Sequence, residues 1–285
     1  MSGIVWLASY PKSGNTWLRV FLTNLFRDEA ADINDLSHAL IASDRAMFEN
    51  ALGYDSDELT IEELQWLRPQ FYKFLRAVNQ DGLYIKIHDA IEPLPGGLKT
   101  VGHEDTQASI YVMRNPLDVC VSFAHFMGHK DMDRMIAIMA DDTFKLAGEA
   151  VRRDTQLPQP LKSWSNHVLS WVDASDLNVH VMRYEDMRTQ PLETFTAMTQ
   201  HLNIKCKEEH IHKALAFSDF KRLKNQEKKK GFGENPMSNK AFFRSGRTGG
   251  WRDVLTDSQV ERLISDHRAI MRRFGYIDQS DNPLY

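Results

Sequence analysis

The stretch SYPKSGNTW, Ser9 to Trp17, decides the fold. Before it stands a short apolar run, Ile4 to Ala8, bounded by Gly3 and Ser9; after it runs Thr16 to Phe26, apolar on most sides and free of Gly and Pro. Such a pattern predicts a buried strand, a tight loop and a buried helix, the opening of an α/β unit. A loop of this kind aims its backbone N–H groups and the helix N-terminus at one point, which makes an anion site. Gly14 lets the backbone approach the anion, Ser13 and Thr16 offer hydroxyl donors, and Lys12 adds a full positive charge. A plainer reading has Pro11 and Gly14 making a turn with Asn15 capping the helix. The Lys directly before them favours phosphate binding. A Walker-A loop does not fit, because here the Lys precedes the only Gly.

Outward from that loop, apolar runs recur at Leu83–Ile87, Ala108–Met113 and Leu177–Met182. Each is followed by turn residues and a helix-like segment, as at Asn115-Pro116 before Leu117–Met127. Strands alternating with helices predict an α/β fold of three layers, a central, mostly parallel sheet flanked by helices. Residues 28–80 and 128–165 read as helical insertions over the sheet's edge or open end, and a single domain over 1–285 is the simplest division.

With 285 residues, 42% hydrophobic and 26% charged, and a net charge of -4, the chain has ordinary globular values. The acidic balance argues against a general nucleic-acid binder. Cys120 and Cys206 form no disulfide framework and no cysteine zinc site. The N-terminus lacks a secretory pattern and no stretch reaches a membrane span, so no membrane association and a cytoplasmic location are expected.

YPKSGNTW resembles the 5'-phosphosulfate-binding loop of the sulfotransferases that use 3'-phosphoadenosine 5'-phosphosulfate (PAPS). Asn15 stands where that family commonly has Thr. YVMRNPLDVCVSF, 111–123, is similar to the family's second element, a strand ending in Arg114 and a helix carrying Ser122. An Arg at a strand end and a Ser eight residues on can converge on one phosphate, which the resemblance makes the nucleotide's 3'-phosphate. Alone, Arg114 would read as a salt-bridge partner of Asp118, and Ser122 as a hydroxyl bonded to its own helix. FFRSGRTGGWRDVL, 242–255, is similar to the C-terminal segment that closes over the nucleotide, with Arg244, Ser245 and Gly246 at positions that contact the 3'-phosphate. Ser245 replaces a Lys and Gly250 an Asp, and Arg247 is the candidate substitute. RYEDM, 183–187, resembles a piece whose Tyr184 bonds the adenine side; Ser218 and Phe220 match a segment lining the base, and Trp17 is placed to stack on it. These elements run in family order from 9 to 255, and the resemblance implies a P-loop-like fold.

Sulfuryl transfer, like phosphoryl transfer, needs positioning, charge stabilisation and a base for the acceptor hydroxyl. In LYIKIHDA, 83–90, Lys86 and His88 are two apart on a strand and share a face. The resemblance implies His88 as general base, with Lys86 stabilising the sulfuryl group and Lys12 the leaving 5'-phosphate. An imidazole suits a base at neutral pH. His125 and His129, and His210 and His212, have no third ligand at metal spacing, so no metal is expected; His125 is a candidate acceptor contact.

The expected function is sulfuryl transfer from PAPS to a hydroxyl, or an amine, of a small molecule or glycan. An ATP-dependent P-loop kinase is the alternative, although the strand before Arg114 ends in a basic residue and only Glu185 and Asp186 follow the one before Arg183. A non-catalytic nucleotide-binding module is a third reading, against which the Lys86 and His88 pair argues. Lys221 to Lys230 reads as a solvated, partly disordered segment belonging to a lid. RDVLTDSQVE, 252–261, approximates the family's dimer motif, but Asp257 stands where a Val would pack, so the oligomeric state stays open. The aromatics Phe48, Tyr54, Trp66, Phe71, Tyr72 and Phe126 fit core or acceptor lining equally.

Overall fold

The computed structural model describes residues 3–79, 82–147, 155–235 and 241–285. In chain order these form β1 (Ile4–Ser9), α1 (Asn15–Leu25), β2 (Ala39–Ile41), α2 (Arg45–Leu52), α3 (Ile61–Val78) and β3 (Leu83–Ile87). Then come β4 (Thr106–Met113), α4 (Pro116–Phe126), α5 (Met132–Ala140), β5 (Lys145–Leu146), β6 (Gln159–Pro160), α6 (Trp164–Val172) and β7 (Val179–Arg183). Helices α7 (Tyr184–Thr189), α8 (Pro191–His201), α9 (Glu208–Phe217), α10 (Phe220–Lys230) and α11 (Asp257–Arg273) complete the order. By its contacts the chain divides into one unit of Met1–Tyr10, Ala39–Tyr111 and Asp141–Val181, and another of Pro11–His38, Val112–Ala140 and Met182–Tyr285.

The first unit carries a five-stranded sheet in the order β2-β3-β1-β4-β7, with the last two residues of β4 and of β7 counted in the second. β1 runs parallel to β3, Ile4 opposite Leu83 and Ala8 opposite Ile87, and β2 runs parallel to β3 with Ala39 opposite Tyr84. Every residue of β1 is buried, as an apolar strand inside a parallel sheet must be. β3 alternates instead: Leu83, Ile85 and Ile87 are buried, Tyr84 and Lys86 half-buried. α3 starts at a Thr60–Glu63 capping box and buries Leu64, Arg68, Phe71, Tyr72 and Leu75, one stripe at helical spacing. Tyr72 meets Trp6 of β1 edge to face at 4.9 Å. Sinking Phe71 into that face contributes ~2 kcal/mol or more.

In the second unit α1 is apolar on most sides, with Leu18, Val20, Phe21, Leu22 and Leu25 buried. Phe21 stacks on Phe195 of α8 at 4.1 Å. A second cluster gathers Val20, Ile33, Leu36, Leu223, Phe232 and Phe243, with Trp17, Phe220 and Phe242 packed against it.

The α/β class and the parallel sheet are as the sequence leads one to expect. Three local readings change. The cap of α1 is Gly14, in the left-handed region, and not Asn15. The insertion over 28–80 contributes a strand, β2, as well as helices. The basic run expected to be partly disordered is the helix α10, capped by Asp219, whose carboxylate accepts from the Lys221 N–H; the remainder of the expected lid includes 236–240, which lie outside the described residues. Phe48, Phe71 and Tyr72 are core, whereas Tyr54 and Trp66 are exposed. Thr256 and Gln259 form the capping box of α11, so the approximate dimer motif begins a helix, with Asp257 exposed in its first turn.

Candidate functional site

The loop from Pro11 to the start of α1 belongs to the second unit. Lys12 has φ 68° and Gly14 φ 113°, so the chain makes two left-handed steps before α1 begins. A non-glycine residue there costs on the order of 1–2 kcal/mol. At Gly14 a Cβ would stand 2.8 Å from the Tyr184 ring, so the loop and Tyr184 fit only without a side chain. Ser13 is fully buried, and its Oγ has no hydrogen-bond partner among the described residues. An orphaned donor beneath a helix N-terminus is what an oxyanion would satisfy.

A small pocket in this unit, of about 20 Å³, is lined by Lys12, Ser122, His125, Phe126, Asn235, Ala241, Phe242 and Arg244. Three residues named from separate motifs, Lys12, Ser122 and Arg244, thus share one wall. Among the described residues its charged side chains are two cations, with no carboxylate. The Lys12 ammonium lies 3.5 Å from the centre of the Phe242 ring and 4.7 Å from that of Phe126. Ser245 lines an adjoining surface with Arg244 and Arg247. Arg247 is exposed and pairs with Asp253.

Arg114 sits at the end of β4 as expected, and its guanidinium has structural work. It donates to the Lys12 carbonyl at 3.3 Å and to the Arg247 carbonyl at 3.0 Å, and its ion-pair partner is Asp118 at 3.6 Å. It also covers the Tyr184 ring at 4.3 Å. Arg114 therefore joins the first loop to the closing segment. Asp118 does the same from α4, accepting from the Gly249 N–H at 2.9 Å and the Trp251 N–H at 3.1 Å. The turn before α4 is fixed by Asn115, whose side chain accepts from Leu117 and whose N–H donates to buried Glu185. Burial raises the Glu185 carboxyl above its ordinary range, and Tyr276 donates to it.

The residues assigned to the base are more occupied. Tyr184 donates to the Gly246 carbonyl at 3.1 Å, and Trp17 meets its ring at 5.9 Å. Ser218 is buried, donating to the Ala214 carbonyl and accepting from Asn24. Phe220 packs so close to Gly246 that a Cβ there would lie 2.5 Å from its ring. Asn15 and Thr16 open α1.

Sequence reading missed the grip on the closing segment. Glu227 of α10 accepts from the N–H groups of Phe242 at 2.6 Å and Phe243 at 2.9 Å, while Lys224 donates to the Arg244 carbonyl. Its only trace in the sequence is one Glu in a basic run. His210 and His212 are exposed and lie beside Glu208 and Glu209. Among the described residues no group of three or more His, Cys, Asp or Glu could hold a metal ion. The Cys120 thiol is pushed by burial up to about 12, outside nucleophilic use.

In the first unit, Lys86, on the face of β3 that alternates with the buried one, and His88, directly after the strand, are both half-buried. His88 Nδ1 lies 2.7 Å from the Ser9 carbonyl and 3.2 Å from Ser9 Oγ. A carbonyl only accepts, so in the neutral ring Nδ1 carries the proton and Nε2 keeps its lone pair. Behind it, Asp89 pairs with Arg68 at 2.6 Å, both fully buried.

A family model described as the sulfotransferase domain matches residues 3–275. Cytosolic sulfotransferase 13 of Arabidopsis thaliana is 27% identical over 269 residues, covering 90% of this chain and 73% of the relative. Flavonol 3-sulfotransferase of Flaveria bidentis is 25% identical over 274 residues, covering 91% and 78%. Mouse sulfotransferase SULT7A1 complexed with PAP has a like fold, with TM-score 0.62 at 18% identity over 95% of this chain and 85% of that one. Retinol dehydratase in a complex with retinol and PAP gives TM-score 0.63 at 18% identity, over 95% and 82%.

Proposed function

The chain belongs to the sulfotransferase-domain family, and from that premise we propose that it transfers the sulfuryl group of PAPS to a hydroxyl of a small-molecule acceptor. The observation that carries this reading is the pocket on which Lys12, Ser122 and Arg244 converge with no carboxylate among the described lining residues. Two cations and a hydroxyl suit the phosphates of 3'-phosphoadenosine 5'-phosphate (PAP), whereas a magnesium nucleotide calls for an acidic ligand beside the phosphate. The buried Ser13 Oγ, without a partner among the described residues, and the side-chain-free step at Gly14 fit an oxyanion at the head of α1.

In this reading the acceptor oxygen forms a bond to sulfur as the bond from sulfur to the 5'-phosphate oxygen breaks. The acceptor's proton goes to the His88 imidazole, at Nε2, the ring nitrogen that does not face the Ser9 carbonyl. Lys86 is assigned to the sulfuryl oxygens. Lys12 meets the charge that develops on the leaving 5'-phosphate, exchanging the ring faces of Phe126 and Phe242 for phosphate oxygens. A cation over aromatic rings is held by ~0.5–2 kcal/mol, and charge-assisted hydrogen bonds by ~1.5–3 kcal/mol each, so the exchange is favourable. The flavonol named for the Flaveria bidentis relative points to phenols as the first acceptors to try. A cytosolic location is proposed on the names of the relatives.

The test is transfer from radiolabelled PAPS, in EDTA, to a panel of phenols and alcohols, with His88→Ala as control. Labelled sulfate ester from the wild type and not from the variant supports the reading. Transfer only from ATP, and only with magnesium, would replace it with the kinase.

A further inference from the structure

Tyr285 takes no part in the chemistry described so far, yet it is tied to the closing segment. After α11 the chain turns back on itself. Asp278 accepts from the N–H groups of Ser280 at 2.8 Å and Asn282 at 2.9 Å, and the Leu284 N–H donates to the Tyr276 carbonyl at 3.0 Å. Arg268 and Arg272 of α11 both pair with Asp281, at 3.1 and 2.8 Å. This return carries Tyr285 to two partners. Its main-chain oxygen accepts from the Trp251 indole N–H at 3.0 Å, and its hydroxyl accepts from the Arg183 guanidinium. The same guanidinium lies 4.9 Å from the centre of the Tyr285 ring, donates to the Phe274 carbonyl at 2.8 Å and pairs with Asp186 at 3.0 Å.

We propose that Tyr285 is a positioning residue for nucleotide binding: held by Arg183, its main-chain oxygen fixes Trp251 and so sets the closing segment where Arg244, Ser245 and Gly246 meet the 3'-phosphate. The inference deepens the PAPS reading and rests on it. Arg183 joins two grips on the segment. It stands directly before Tyr184, whose hydroxyl donates to the Gly246 carbonyl, and it holds Tyr285, which accepts from Trp251. Between these grips the segment makes two left-handed steps, Gly246 at φ 61° and Gly249 at φ 73°. Such glycines are the freest points of a backbone, and a segment built on two of them needs holding at both ends. Asp118 accepts from the Gly249 and Trp251 N–H groups, but a grip on main chain does not set the direction of the Trp251 side chain. The indole bond to Tyr285 sets it. Trp251 is 8% exposed, so its N–H has little water to bond in place of that oxygen.

Phosphorus-31 NMR of PAP bound to the full chain separates positioning from packing, because the 3'- and 5'-phosphates give separate signals. With the wild type at saturating PAP, both signals are expected to move from their free positions. Tyr285 is half-buried, so Tyr285→Ala leaves the core intact. In that variant PAP affinity is expected to fall about fivefold, what one lost hydrogen bond is worth. At saturation its 5'-phosphate signal is expected to stay at the bound position while the 3'-phosphate signal returns towards the free one. Trp251→Phe keeps an aromatic ring and removes the indole donor; it serves if Tyr285→Ala binds no PAP, and the same selective return is expected. A 3'-phosphate signal left at its wild-type position, or both signals returning together, overturns the positioning role alone. Loss of all PAP binding in both variants overturns it as well, since the bond is proposed to set one phosphate and not the whole site. A wild-type 3'-phosphate signal that does not move on binding, or no binding of PAP by the wild type, overturns the assignment of Arg244, Ser245 and Gly246, and this inference with it.

Discussion

Single substitutions at Gly14 and His88 bear most directly on the proposed chemistry. Gly14→Ala adds a Cβ 2.8 Å from the Tyr184 ring at a φ of 113°. The strain is ~1–3 kcal/mol, and PAP affinity measured by calorimetry is expected to fall at least tenfold. Wild-type affinity would mean that the loop does not approach the nucleotide. His88→Asn is expected to lower kcat by ~10²–10⁴, the contribution of a general base, while PAP affinity stays within twofold. Equal losses in both would assign His88 to nucleotide binding instead. Lys12, Ser122 and Arg244, which line one pocket, can be singled out in the sequence because each sits in a short motif whose chemistry is local. What Arg114 does cannot. Its partners are the carbonyls of Lys12 and Arg247, and no pattern in the chain announces a backbone carbonyl 133 residues away.

At the scale of elements, α10 shows why polarity misleads. Of its residues only Leu223 is buried, so the hydrophobic signal for a packed helix is absent. Its inner face is held by polar groups: Gln226 accepts from the Ile33 N–H and donates to the Ala31 carbonyl, Glu227 accepts from Phe242 and Phe243, and Lys230 pairs with Asp32. These are side-chain grips on backbone, which spacing alone does not reveal. β2 escaped for a different reason, since three residues are too few to show alternation. The strands and helices around the first loop were legible because they are long, apolar and bounded by Gly and Pro. Glu227→Ala is expected to free the closing segment, raising tryptic cleavage over 221–235 and weakening PAP binding by about tenfold, with saturating PAP restoring protection. Cleavage equal to wild type would remove Glu227 as the holder of that segment.

For the whole molecule, stability should carry the mark of its buried ionisable groups. His167 titrates at about 4 in the fold against an ordinary value near 6.5. Between those values the unfolded chain binds more protons, so stability falls as pH drops through that window, by up to ~3 kcal/mol from this group. Asp89 and Glu185, raised by burial, act oppositely: their contribution is full below the ordinary carboxylate range and is lost as pH rises through their folded values. Urea unfolding of wild type and His167→Gln from pH 4 to 7 should show a shallower acid limb in the variant; parallel curves would mean that His167 is protonated in the fold. The central claim is that the second unit binds PAP through Lys12, Ser122 and Arg244 without metal. Calorimetric titration with PAP in EDTA, on wild type and Arg244→Ala, tests it most directly. Micromolar binding, about −8 kcal/mol, weakened at least tenfold in the variant is the predicted result; no binding of PAP by the wild type, with binding of ATP once magnesium is supplied, would contradict it.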